Sequence, residues 1–308
     1  EAAQEALDSL AGAGISMEEV TDNLLEAGVK SFAESYDQLL ANIEEKTARL
    51  QAQHLHRGVS LGDGQPSVEV AVEKLQRDDV VARIWRGDHT VWKPEPEEIA
   101  NRLGWLRVTD VMREQVPALK DFANDIVKNG FRHVVLLGMG GSSLGPEVLR
   151  QTFGSADGFP ELTVLDSTVP SWVKAVTEAI DPARTLFLVS SKLGGTVEPM
   201  SLYAYFRDLV ERENGTGKAE KHFVAITDPG TTLDELARDA GFRRTFANPP
   251  DLGGRYSVLS YFGLVPAALI GADVEALLDR ADGMRESCAS SIPLHDNPGA
   301  WLGAVMGT

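Results

Sequence analysis

A single cysteine in 308 residues, Cys288, leaves no internal disulfide framework and no Cys-based zinc site. It suits a reducing compartment, and a cytoplasmic location is the expectation. Positive charge is also scarce: 29 Lys and Arg stand against 46 Asp and Glu, for a formal net charge of −17. So acidic a chain has no general affinity for nucleic acid or anionic lipid, because both require an excess of Lys and Arg. A local anion site remains open to it, working against the overall field. Long hydrophobic runs are missing as well. The longest, 258–270, is interrupted by Ser260 and Pro266 and is too short to span a bilayer. Neither an initiator Met nor a signal-peptide pattern opens the chain, and 298–308 stops inside the first turns of a helix pattern. Both ends are expected to be internal to a longer protein.

What is present changes character along the chain. Residues 2–50 read as helices only, from Leu7 and Leu10, through a capping box at Ser16 and Glu19, to a long helix. Phe32, Tyr36, Leu39, Leu40, Ile43 and Leu50 share one face of that helix. The stretch 58–66 (GVSLGDGQP) is rich in turn residues and reads as a linker. More helices follow to about Lys128, broken by Trp92-Lys-Pro-Glu-Pro96. Then four short β-branched apolar runs, 133–137, 162–165, 185–189 and 223–226, alternate with helical patterns. Such strands predict an α/β fold, a parallel sheet covered on both faces. Ligands bind such sheets at the carboxyl ends of the strands, so the loops after them are where chemistry is expected.

Three loops stand out. Gly138-Met-Gly-Gly-Ser-Ser-Leu-Gly-Pro146 follows the first strand and opens a helix. Its glycines allow close approach of a ligand, while Ser142 and Ser143 bring donors to the positive end of a helix dipole. Pro146 suits an early helical position. A tight turn holding nothing is the plainer reading, but the density of Gly and Ser favours an anion site. Ser190-Ser-Lys-Leu-Gly-Gly-Thr-Val-Glu198 is more specific. Glycine alone would explain a turn, but not the hydroxyls of Ser191 and Thr196 beside the ammonium of Lys192. Gly194 and Gly195 free backbone donors there, and Glu198 in the next helix's first turn is equally well explained by the helix dipole. In Gly253-Gly-Arg-Tyr-Ser257, Arg255 either stabilises a developing oxyanion or pairs with a carboxylate. A dinucleotide reading, with Gly138-x-Gly140 and Asp166, leaves the second loop without a role.

Together, in this order and spacing, the three motifs resemble the sugar isomerase domain of the glucose-6-phosphate isomerase family. The resemblance covers about 67–308 and includes Trp92-Lys-Pro and Asn101-Arg-Leu-Gly-Trp105. Residues 1–50 resemble the C-terminal helices of a transaldolase, a succession similar to bacterial bifunctional transaldolase/glucose-6-phosphate isomerases. The resemblance implies transaldolase-like helices at 1–54, a linker at 55–66, the helical N-terminal part of an isomerase at 67–128, and a three-layer αβα domain at 129–308, followed elsewhere by a second half. It implies that Gly140, Gly141, Ser142, Ser191, Lys192 and Thr196 hold the phosphate of glucose 6-phosphate or fructose 6-phosphate. Arg255 would stabilise an enediolate as a proton moves between C1 and C2. Neither cofactor nor metal is implied; a homodimer is, for the complete protein, with places in glycolysis, gluconeogenesis and the pentose phosphate pathway. The family's glutamate base, histidine and lysine have no matching motif here, so 1–308 alone is expected to bind at best. A sugar-phosphate-sensing regulator is the competing class. One departure is Leu193, where the family usually has Ser or Thr. Around Trp301 and Val305 an apolar face is expected to need cover.

Overall fold

The computed structural model describes residues 9, 10, 12–52, 60–215, 217 and 219–308. Leu7 and the part of the expected linker at 55–59 lie outside them. The chain divides into two compact units, Glu1–Gly62 and Asp63–Thr308.

The first unit is dominated by one long helix, α1 (Met17–Ala52). The expected cap forms, with the Glu19 N–H donating to Ser16 Oγ at 3.2 Å. Its apolar stripe is uncovered: Phe32 is 81% exposed, and Leu24, Leu25 and Tyr36 are exposed too.

A single 3-10 turn spans 62–64, and in the second unit α2 (Gln65–Arg77) then starts inside the expected linker with Pro66 in its first turn. Two short helices, α3 (Val80–Trp85) and α4 (Val108–Arg113), lead to α5 (Val116–Lys128). The alternating part follows as β1 (His133–Gly138), α6 (Gly141–Phe153), β2 (Glu161–Leu165), α7 (Pro170–Ala179) and β3 (Thr185–Ser190). It continues with α8 (Val197–Asn214), β4 (Phe223–Thr227), α9 (Thr232–Ala240) and β5 (Arg244–Ala247). Helices α10 (Tyr261–Leu269), α11 (Val274–Ser287) and α12 (Pro298–Gly307) close it.

Among the described residues the five strands are all parallel, in the order β2-β1-β3-β4-β5. The strand side chains alternate between two cores. Val134, Leu136, Leu186 and Leu188 face α4, α5, α6, α10 and α11. Val135, Leu137, Phe187 and Val189 face α7, α8 and α9. Burial on both faces is why these strands read as unbroken apolar runs, and it makes the fold a three-layer αβα domain. β5 escapes that signature. It is a four-residue edge strand in which only Phe246 is buried, so it offers neither length nor an apolar run.

The strand order carries the functional consequence. From β1 the chain moves outward to β2, then crosses back to set β3 on the other side of β1. The carboxyl ends of β1 and β3 therefore flank the topological switch point, where loops diverge and leave a crevice.

Two expectations are corrected. Pro146 is the sixth residue of α6, inside the helix rather than at its start. On α12 the exposed apolar side chains are Leu302 and Met306, while Trp301 and Val305 are half-buried. Among the described residues no helix is long and apolar enough to cross a membrane.

Candidate functional site

The two Gly/Ser loops leave the two strands that flank the switch point, β1 and β3. At the first, Gly140 takes φ 57° and ψ −121° just before α6, a conformation open in practice to glycine alone. Gly141 then runs so close to the third loop that a Cβ there would lie 2.0 Å from the Gly254 carbonyl oxygen. The first and third loops thus meet backbone to backbone. Ser142 is buried at the cleft, whereas the Ser143 hydroxyl turns back to the Gly140 carbonyl at 3.1 Å and lies outside the lining.

In the second loop the Ser191 and Thr196 hydroxyls face each other at 3.1 Å. Lys192 bends across to the loops after the next two strands, where its ammonium donates to Asp228 Oδ2 after β4 and, at 3.2 Å, to the Pro250 carbonyl after β5. Both members of that ion pair are largely buried, 17% and 12% exposed. Burial pushes the Asp228 carboxyl above the usual carboxylate range, outweighing the hydrogen bonds and charge by which Lys192 lowers it. Leu193 stands at the rim, 75% exposed.

These loops enclose one cleft of about 360 Å³. Gly140, Gly141, Ser142, Ser191, Lys192, Leu193, Thr196 and Arg255 line it, with Met139, Ser190, Pro199, Gly254 and Arg102. Gly194, Gly195, Glu198 and Ser143 do not. Neither does Asp166, which follows the edge strand β2, so the cleft brings no ribose-binding acid to the glycine turn. Arg255 is exposed and has no carboxylate within ion-pair distance among the described residues. Of its two sequence readings, carboxylate pairing therefore has no partner here. A larger apolar cleft of about 720 Å³, between α2, α3 and α12, is lined by Trp85, Cys288 and Ala304, away from the strand ends. Among the described residues no group of three or more His, Cys, Asp or Glu could hold a metal ion.

Motif reading missed Arg102 and Asp228. Asp228 had a signal: it follows β4, whose loop was open to the same inspection as the other two. Arg102 had a weaker one, its place in the Asn101-Arg-Leu-Gly-Trp105 motif, but only tertiary pairing brings that segment to the cleft.

A parallel doubly wound sheet with a Gly/Ser-lined cleft at its switch point defines a three-layer α/β domain. The profile of the phosphoglucose isomerase family matches residues 107–306, and the chain belongs to that family. The glucose-6-phosphate isomerase of Carboxydothermus hydrogenoformans is 32% identical over 213 residues, covering 66% of this chain and 45% of that protein. The Staphylococcus saprophyticus enzyme is 34% identical over 202 residues, covering 63% and 45%. The chain thus spans about half the length of the curated relatives it matches. A hypothetical protein from Thermus thermophilus superposes with a TM-score of 0.66 at 27% identity, over 79% of this chain and 55% of that one. A Chlamydia trachomatis glucose-6-phosphate isomerase has the same fold, with a TM-score of 0.66 at 20% identity over 78% and 49%.

Proposed function

We propose that the cleft holds the phosphate of glucose 6-phosphate or fructose 6-phosphate, and that the complete protein interconverts the two by proton transfer between C1 and C2. The observation that carries this reading is the convergence of the loops after β1 and β3 on one cleft at the switch point. In it the N–H groups of Gly140 and Gly141 and the hydroxyls of Ser142, Ser191 and Thr196 surround the phosphate, with Lys192 as a cation. Arg255 lies over the reacting carbons. Removing the C2 proton puts negative charge on the substrate oxygens, and a guanidinium held against that charge lowers the barrier. Returning the proton at C1 completes the exchange with no net oxidation, so neither nucleotide nor metal enters.

The general base belongs to the second sugar isomerase half in this reading, and 1–308 alone binds without turnover. Residues 1–54 belong to a transaldolase fused upstream, and the complete protein is a cytoplasmic homodimer. Titration calorimetry of this chain with fructose 6-phosphate tests the binding, and a coupled isomerase assay on a chain extended past Thr308 tests the chemistry. Saturable binding by the first and turnover only in the second are expected. Absence of any sugar-phosphate binding would overturn the reading.

A further inference from the structure

The cleft's most buried cation is already engaged. The Lys192 ammonium is held by Asp228 and by the Pro250 carbonyl, so much of its charge is neutralised before an anion arrives. With Arg255 assigned to the reacting carbons, a phosphate dianion would still need a second cation beside Lys192, and a structural element from outside the three loops supplies one. The Leu103 and Leu252 backbones form an antiparallel bridge, and the Gly104 N–H donates to the Asp251 carbonyl at 2.9 Å. This pairing ties the 3-10 turn Ala100–Arg102 to the strand-end loop that carries Arg255. It also puts Arg102 in the lining of the cleft. Arg102 Nε is buried and has no hydrogen-bond partner, while one outer nitrogen makes a 3.2 Å pair with the largely exposed Glu98. A buried guanidinium N–H without an acceptor is costly. An exposed pair such as Arg102–Glu98 is weak and readily exchanged.

We propose that Arg102 is an anion-binding residue of this cleft, donating from its guanidinium to the phosphate group of the bound sugar phosphate. The inference rests on the sugar-phosphate reading above and adds a residue that none of the three loops contains. The guanidinium fork suits a phosphate better than an ammonium does, because two N–H groups can meet two oxygens at once.

The test is binding of inorganic phosphate and of fructose 6-phosphate to the full 308-residue chain and to its Arg102→Met and Arg102→Lys variants. Arg102→Met should weaken both ligands by the same factor, about tenfold or 1.4 kcal/mol. Arg102→Lys, keeping charge but not the fork, should fall between. The unchanged protein gives an independent reading that needs no variant to fold: the Arg102 Nε–H NMR signal should shift saturably as phosphate is added. Wild-type binding with an unmoved Nε–H signal and an unaltered Arg102→Met would overturn this inference and leave the sugar-phosphate reading intact. The charge of Arg102 also helps to lower the Asp228 carboxyl, so an Arg102→Met that moves only the Asp228 titration would also overturn the inference, since Arg102 would then serve Asp228 alone. Absence of binding by the wild type would overturn both.

Discussion

The Ser190 hydroxyl donates to the Ser142 carbonyl at 3.3 Å, joining the end of β3 to the first turn of α6. The bond has a cause in sequence. Ser142 lies four residues before Pro146, so its carbonyl is the one a helical N–H at position 146 would have engaged. Ser190 occupies that acceptor instead, and a proline inside a helix becomes the reason two cleft loops are pinned together. Replacing Ser190 with Ala should leave a buried carbonyl unpaired. The expected loss is about 1 kcal/mol, at the low end for such groups because the bond is long. Urea unfolding should show it as a lower midpoint at constant slope.

Leu193 stands at the rim of the cleft, exposed, in the loop that also presents Ser191 and Thr196. A hydroxyl there adds a donor to a charged acceptor without disturbing any core. Leu193→Ser should tighten fructose 6-phosphate about tenfold, near the lower bound for hydrogen bonds to charged groups. Calorimetry showing no gain would remove this loop from contact with the phosphate.

The Asp228 carboxyl carries a pH signature. Burial raises its folded value above that of a free carboxylate, against the opposing pull of Lys192. A carboxyl with a raised folded pKa contributes stability that is fully present below the unfolded value of about 3.9. That stability drains away as the pH climbs through the folded value. The neutral variant Asp228→Asn should lack this limb, so the wild type should lose stability relative to it as the pH rises from about 4. The same change releases Lys192 and should strengthen inorganic phosphate binding at neutral pH. Chemical denaturation across pH and a phosphate titration check the two parts separately.

Asp282 works in the opposite direction. Burial disfavours its charge, but the neighbouring Thr109 hydroxyl, a hydrogen bond from Arg113 and the positive charges of Arg285 and Arg113 hold its carboxyl below the usual range. Arg113 reaches both Asp279 and Asp282, and Arg285 reaches Asp110 at 2.7 Å, so the cluster ties α4 to α11. A depressed folded pKa gives stability that is fully present above the unfolded value and lost as the pH falls through the folded one. Asp282→Asn should cost roughly 1–3 kcal/mol at neutral pH. Its deficit should shrink once the pH drops below about 4, which acid unfolding of both proteins would register.

Much of this architecture was legible before any coordinates. Four of the five strands announce themselves because both their faces are buried, and burial on both faces demands continuous apolar residues. The Gly/Ser loops were legible for a related reason: the Gly140 conformation and the Gly141–Gly254 approach exclude side chains, so they restrict the residue type locally. β5 was not, since an edge strand with one buried side chain can be built from Arg, Thr and Ala as readily as a loop can. Pro146 was misread as a helix start because the partner that lets it sit inside α6 is 44 residues further on.

By itself, then, the sequence determined four of the strands and which strand-end loops turn without side chains, because those are constraints on single residues and short periods. Tertiary structure alone decided that β3 crosses to the far side of β1 and so makes those two loops neighbours. It also decided that Asp228 claims the lysine, and that a turn about 150 residues before Arg255 delivers a second guanidinium. Each of those depends on strand order and on pairing between distant backbones, and a pairing energy leaves no mark on either partner's local pattern.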